Sequence, residues 1–494
     1  MDRKPVLKSF LMKRELVRQH VDSFNDFIEN RLQEIVDETK IIETDVGVDV
    51  ELGKIFVDTA EVIEADGSRN KITPMEARLR NLSYFSPVYL EMKLRREERE
   101  GEFERVKIGM LPTMIKSRIC NLYGRSDEEL IALGEDPLDP GGYFIVNGSE
   151  RVLVTIEDLA PNKIMLEKGE EYSKITEVAK VFSRRGGFRA LVTVERDRDG
   201  LIGVNFPSVP GSIPLVILMR ALGVETDREI METISDDPAY AHDILLNLEE
   251  HLQIKDKAMA MEYIGKKVAA GQTREYRLKR AEQVIDRYLL PHIGVEPEDR
   301  LRKAHYLGRM VLRVLELAQG KRDPDDKDHY ANKRLRLAGD LMEDLFRVAF
   351  YNLTRDIKYQ LERAVVRGKE PSVHTAVRAD VLTERIRHAL ATGNWVGGRA
   401  GVSQLLDRTN YLSVVSHLRR VVSPLSRSQP HFEARDLHPT QFGRICPSET
   451  PEGPNCGLVK NLALACEFST GYAEEELVPF LYELGVKPIE KEGV

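Results

Sequence analysis

The sequence predicts an α+β chain of several domains, and three observations carry that prediction. Its 494 residues amount to about three domains at roughly 150 residues each. Apolar residues recur at three- and four-residue spacing in some stretches and at two-residue spacing in others, the signatures of helices and of half-buried strands. The balance of 42% hydrophobic to 31% charged residues suits packed domains and not a disordered chain.

Taken in order, the elements begin with a helix, because Val21, Phe24, Ile28, Leu32 and Ile35 share one face. The period then becomes two: Val46, Val48, Val50 and Leu52 predict one strand, and Val88, Leu90, Met92 and Leu94 another. Asn147-Gly148 between YFIV and VLV predicts a hairpin. Residues 1–162 therefore read as a helix followed by a mostly β module, ended by Pro161-Asn162. A second, α/β domain spans 163–327, with a strand over Arg189–Glu195, a buried helix starting near Ile213 and charged helices over about 225–320. KRDPDDKDH (321–329) has neither the Gly at the sixth position nor the Glu at the twelfth that a calcium loop needs, so it reads as a linker with an N-cap. A long helix follows directly, marked by Leu337, Leu341, Leu345, Ala349, Leu353, Ile357 and Leu361 with Phe346 and Phe350 beside them.

Composition narrows the function. The longest apolar run, Ile213–Met219, falls far short of the ~20 residues of a spanning helix. The opening MDRKPVLKSFLMKREL breaks up its apolar pairs with charge, so the expectation is an intracellular protein without signal peptide or membrane contact. Cys120, Cys446, Cys456 and Cys466 form no C-x-x-C pair and read as reduced, mostly buried thiols. No Walker A loop, H-E-x-x-H, G-x-S-x-G or tight Asp-x-Asp-x-Asp cluster is present, so no catalytic group and no metal ligand is expected in this chain. A net charge of −8 argues against coating nucleic acid by bulk charge.

Residues 394–444 differ from the rest. They hold seven arginines (Arg399, Arg408, Arg419, Arg420, Arg427, Arg435 and Arg444) and no lysine, against the acids Asp407, Glu433 and Asp436. The guanidinium fork suits bidentate phosphate contact. His417, His431 and His438 add donors, and Trp395 and Tyr411 could stack on bases. A solvated basic face is the other reading. Next, Pro447, Pro451 and Pro454 stiffen an irregular loop that carries Glu449 and Glu452, for which a structural turn is the simpler reading.

SQLLDRTNYLSVVSHLRRVVSPL, followed by RDLHPTQFGRICPSETPEGPNCGLVKNLAL, closely resembles the second-largest subunit of multisubunit DNA-directed RNA polymerases. LVRQHVDSFNDFIENRLQEI, IGMLPTMIKSRICNL, GGYFIVNGSERVLV, IPLVILMRALG and DKDHYANKRLRLAGDLMEDLF match in family order, from about residue 16 to about 490. Cys456 and the following VKNLAL look archaeal or eukaryotic more than bacterial. The resemblance stops where the family's external region begins. That is similar to the N-terminal half of the split archaeal form, the polypeptide called B double-prime, with a shortened piece of an undivided second-largest subunit as the other explanation.

The resemblance implies a protrusion (1–162, resuming over 328–393 through the long helix) with an inserted lobe (163–327), a fork (394–465) and the start of an external region (466–494). It implies RNA synthesis on a DNA template from four NTPs in a cytoplasmic complex, this chain forming one wall of the DNA cleft. Mg2+ would sit on the largest subunit. The implied partners are the complementary C-terminal half, the largest subunits, the small subunits, the DNA template and the RNA–DNA hybrid. Asn394–Ala400 matches a shortened fork loop 1, and Ser426–Arg435 matches fork loop 2. Arg399, Arg408, His417, Arg419, Arg420, Arg427 and Arg435 would bind nucleic acid, with Arg444 and Glu449 on the floor of the active centre. In bacterial relatives the positions of Asp407, His417 and Arg420 line the rifamycin pocket, and Val422 stands here where those have serine, which implies poor rifamycin sensitivity. A non-catalytic nucleic-acid or protein scaffold using the same fold outside a polymerase is the alternative.

Overall fold

The computed structural model describes residues 3–6, 9, 16–64, 66–96, 99–170, 172–468 and 474–486. The first predicted helix forms as α1 (Arg18–Asp26) and α2 (Leu32–Thr39), joined without a break by a π-turn at Phe27–Arg31. Phe24, Leu32 and Ile35 are buried as the spacing requires, Phe27 is buried with them, and Val21 and Ile28 are half-buried. Strand β1 (Val48–Val57) starts later than predicted, since Val46 lies in a turn closed by Gly47 at φ +70°. It pairs antiparallel with β2 (Phe85–Arg96), which pairs in turn with β3 (Glu104–Pro112) in a five-stranded sheet. The hairpin β4 (Phe144–Val146) and β5 (Ser149–Leu153) forms as predicted, with Asn147 and Gly148 both at positive φ. Strand β6 (Thr155–Leu159) follows directly.

Residues between Ile164 and Leu317 bury a core of their own. Here β7 (Met165–Lys168), β8 (Ile175–Arg185), β9 (Phe188–Asp197), β10 (Ile202–Asn205) and β11 (Ile213–Pro214) form a sheet in that order. The predicted helix near Ile213 starts two residues later, as α3 (Leu215–Ala221), because Ile213 is taken by the edge strand. The charged stretch forms α4 (Asp227–Ile234), α5 (Ala241–Glu250), α6 (Lys257–Val268), α7 (Arg274–Tyr288) and α8 (Arg300–Ala318).

The linker does not run straight into the long helix. A 3-10 turn at Tyr330–Asn332 and a strand, β12 (Lys333–Arg336), intervene, and α9 (Ala338–Val366) begins only after Leu337, whose N–H donates to Asp340 Oδ2 at 2.9 Å. The stripe from Leu341 to Leu361 is buried against α1, α2 and the first sheet, so residues 24–156 and 338–402 share one core. Helix α10 (Ala379–Thr392) lies on β3 so closely that a Cβ at Gly109 would come within 2.7 Å of Leu382 Cδ2. Beyond it come β13 (Ser403–Leu405), α11 (Tyr411–Leu418), β14 (Arg420–Val422) and β15 (Val459–Asn461).

The element that organises the site is a four-stranded sheet in the order β12-β6-β14-β15, in which β6 and β14 run parallel. It gathers four segments that are far apart in the chain. All four thiols are free, but only Cys120 is fully buried, so the expectation of mostly buried cysteines is corrected. Of the predicted external region, 469–473 and 487–494, with Glu490 and Glu492, lie outside the described residues. No described helix is long and apolar enough to cross a membrane.

Candidate nucleic-acid interface

Strand alternation builds the site. Arg420 pairs with Asn461, Val421 with Lys460 and Val422 with Val459. Arg420, Val422, Val459 and Asn461 therefore share one face of the sheet, and Val421 and Lys460 the other. On the first face is an open pocket of about 450 Å3, completed by Gln404, Arg427, Glu449, Thr450, Pro451 and Asn455. Neither the Arg420 nor the Arg427 guanidinium is held by a carboxylate or carbonyl of the described residues. Glu449 accepts a hydrogen bond from Ser416 Oγ at 2.6 Å, and Asn461 Nδ2 donates to the Ser416 carbonyl at 2.8 Å.

Two loops wall the pocket, and one arginine ties them together. Arg435 donates to the carbonyls of Pro430 (2.6 Å) and Gln429 (3.3 Å) in the first loop and to Pro454 and Cys456 (both 2.8 Å) in the second. A Cβ at Gly457, φ +73°, would come within 2.4 Å of the Arg435 carbonyl, so the second loop can pass this close only with glycine there.

Behind the pocket floor lies a buried ion cluster. Glu157 of β6 accepts from Lys333 Nζ at 2.7 Å, Lys460 Nζ at 3.1 Å, Ser423 Oγ at 3.1 Å and Tyr330 Oη at 2.6 Å. Burial by itself would raise the Glu157 carboxyl, but Lys460 and Lys333 outweigh it and bring it down to about 2. Burial pushes the Lys460 ammonium down despite Glu157, whereas for Lys333 the pull of Glu157 and Asp328 wins and raises it. Ser423 opens the first loop and Lys460 follows the second, so this cluster anchors both.

Every residue lining the pocket falls within 404–468, the stretch that matches the family RNA polymerase Rpb2, domain 3; residues 15–384 match the family RNA polymerase beta subunit. The chain belongs to the RNA polymerase beta subunit family. It is 58% identical over 495 residues to the DNA-directed RNA polymerase subunit Rpo2N of Methanococcus vannielii, covering 98% of this chain and 99% of that one. It is 56% identical to Rpo2N of Halobacterium salinarum, covering 99% of this chain and 96% of that one. Against Rpo2 of Saccharolobus solfataricus the identity is 55%, over 98% of this chain and 43% of that one.

In this polymerase subunit the structure divides the residues singled out by sequence. Arg420, Arg427 and Glu449 meet at the pocket. Arg408 is held by Glu150 (2.6 and 2.8 Å) and Asp139 (2.9 Å) over the Tyr143 ring, and Arg399 by Asp158 at 2.7 Å. Arg419 is buried and donates to the carbonyls of Leu16 (2.5 Å) and Ala463 (2.7 Å), which pins the start of the N-terminal helix to the segments around β14 and β15. His417 is buried too. The Asp407 N–H donates to its Nδ1 at 3.1 Å, which leaves the proton on Nε2 for Gln404 Oε1 at 3.1 Å. Burial, and then the Arg420 charge, bring it down to about 4, so it is a neutral ring at physiological pH. Arg444 is exposed and, among the described residues, its side chain donates to the Thr440 carbonyl alone, at 3.1 Å.

Trp395 is corrected as a base-stacking candidate: it is 5% exposed and its Nε1–H donates to the Leu341 carbonyl at 2.9 Å, so it is core. His438 is turned to Asp326 at 2.8 Å. Sequence reasoning missed Glu157, Lys333 and Lys460. For Glu157 and Lys460 the signal was charge beside apolar residues in the strands TIEDL and LVKNLAL, where an unpaired charge would be costly; Lys333, in ANKRLR, carried none.

Proposed function

We propose that this polymerase subunit forms one wall of the DNA cleft and positions downstream DNA and the RNA–DNA hybrid. Residues 1–162 and 328–393 would form the protrusion, 163–327 the lobe, 394–465 the fork, and 466–494 the start of the external region. The observation that carries the reading is the pocket: two guanidiniums left uncommitted by the protein stand over a polar, rigidly anchored floor, which suits phosphate oxygens. Arg420 and Arg427 contact the nucleic acid directly, and exposed Arg444 adds to the same field. Arg399, Arg408, His417, Arg419 and Arg435 serve the interface by holding its frame. Glu449, bonded to Ser416, orders the pocket rim.

The reaction is attack of the RNA 3′ hydroxyl on the α-phosphate of an NTP, breaking the α–β phosphoanhydride bond and releasing pyrophosphate; bound magnesium would supply the charge that stabilises the entering and leaving oxygens. The pocket does not fit that metal, since its single carboxylate, Glu449, is bonded to Ser416 and stands among two guanidiniums that would repel a cation. Magnesium is accordingly assigned to the largest subunit. The chain works in the cytoplasm with the complementary C-terminal half, the largest subunits and the small subunits. Val422 on the pocket floor supports poor rifamycin sensitivity.

The test is the salt dependence of scaffold binding by the reconstituted polymerase. Each phosphate contact contributes about 0.7–0.9 to the slope of log K against log salt, so Arg420→Ala or Arg427→Ala should lower that slope by about one. Unchanged slopes in both variants would overturn the reading. Failure of this chain to co-assemble into an RNA-synthesising complex would favour the scaffold alternative.

A further inference from the structure

A second group of arginines shares a sheet face with the pocket. Ile156 on β6 pairs with both Arg336 on β12 and Val422 on β14, so Arg336, Asp158 and the floor of the pocket point the same way. Around Asp158 and Asp344 four guanidiniums converge. Arg399 and Arg189 reach Asp158 at 2.7 and 3.7 Å, and Arg184 reaches Asp344 at 3.2 Å beside Arg336, which bonds the same carboxylate. The neighbouring acids Asp340 and Glu343 are taken by Arg31.

These contacts do not balance. Four cations face two carboxylates, and the two most enclosed arginines have unspent donors: Arg399 Nη1 and Arg336 Nε are buried without a hydrogen-bond partner among the described residues. A buried donor left unmade costs about 1–3 kcal/mol, and an uncompensated buried charge costs more. An internal ion-pair network would have closed these valences with a third carboxylate. Burial above all lowers the Arg189 guanidinium; Asp158 opposes this, and the Arg399, Arg336 and Arg184 charges add to it. Arg189 is also the most open member, its guanidinium resting on the Phe182 ring at 4.3 Å, so an anion can reach the group from that side.

We propose that Arg184, Arg189, Arg336 and Arg399 form a second phosphate seat, which takes a phosphodiester of a nucleic-acid strand running on from the pocket. Two strand spacings separate β14 from β12, about 10 Å, or roughly three nucleotide steps of a stacked strand. The oxyanion meets the group at Arg189 and compensates the excess charge of the enclosed arginines behind it. The inference rests on the reading of the pocket given above.

Reconstituted polymerase carrying Arg184→Ala or Arg189→Ala, the two more exposed members, should bind a template–RNA scaffold with a salt slope lowered by about 0.7–0.9. Arg189→Lys, which keeps the charge, should retain most of it. Arg427→Ala, measured in parallel, separates the two proposals. A lowered slope for Arg427→Ala with unchanged slopes for Arg184→Ala and Arg189→Ala refutes the seat and leaves the pocket standing. The reverse pattern keeps the seat and refutes the pocket. Phenylglyoxal labelling of Arg189 in the assembled enzyme identifies the source of the phosphate: protection by the scaffold means a strand, and protection by inorganic phosphate alone means a small-phosphate site. Unchanged slopes with no protection by either would overturn the seat.

Discussion

Glu157 is the residue on which the site's frame depends most. Its carboxylate is the common partner of two buried lysines, so Glu157→Gln leaves Lys333 and Lys460 without their counter-charge, although Asp328 still reaches Lys333 at 3.0 Å. Breaking a buried pair by removing one partner costs about 3–5 kcal/mol, and the thermal midpoint of the variant should fall accordingly. The pH dependence follows from the lowered carboxyl. Its stabilisation is complete above the ordinary value of 4.5 and is lost as the pH falls toward about 2, because the unfolded chain takes up the proton first. The loss of stability below about 4.5 should therefore be shallower in Glu157→Gln than in the parent, and equal acid limbs in thermal unfolding would count against the cluster. Arginine-rich composition singled out this region, but it could not say which guanidiniums are free. That depended on whether a carboxylate or carbonyl from a distant segment reached each one.

Among the elements, the paired loops over 423–458 are held by hydrogen bonds to charged groups more than by apolar packing. Arg435 bridges them through four carbonyls, a geometry the planar fork meets and an ammonium does not. A hydrogen bond to a charged group contributes about 1.5–3 kcal/mol, so Arg435→Ala and Arg435→Lys should both raise the rate of proteolytic nicking between Ser423 and Leu458. Nicking at the parental rate in both would show that the loops are held by something else. Element prediction errs for a related reason. The sequence of the linker over 321–329 points straight into α9, but β12 intervenes because the charged run KRLR hides a strand whose partner, β6, lies far back in the chain. The hairpin at Asn147-Gly148 is legible because its turn chemistry is local.

At the scale of the whole molecule, several large apolar side chains stand exposed in the segments after α10. Leu412 (78% exposed) and Phe432 (75%) stand out, with Phe442, Leu464 and, on the last described helix, Phe480 exposed as well. Scattered exposed apolar side chains are ordinary, whereas a contiguous patch marks an interaction surface, and the two differ in how the chain behaves alone. If these side chains form one patch, the chain alone should self-associate in light scattering, and co-expression with the proposed complementary C-terminal half should yield a single complex of defined mass. A monodisperse monomer whose mass is unchanged by that partner would refute this.

The alternation of apolar residues, the stripe on α9, the Asn-Gly turn and the family-matching runs are properties of neighbouring residues, and for that reason the fold class and the family were readable before any coordinates. The charge state of each site residue was not. Whether Arg420 is free while Arg419 is buried against carbonyls turns on strand alternation and on contacts between segments hundreds of residues apart. His417 is neutral for the same reason: its burial and the Arg420 charge arise only in the packed chain. Local sequence sets which residues can carry charge, but desolvation and long-range pairing set which charges remain available, and those exist only in three dimensions.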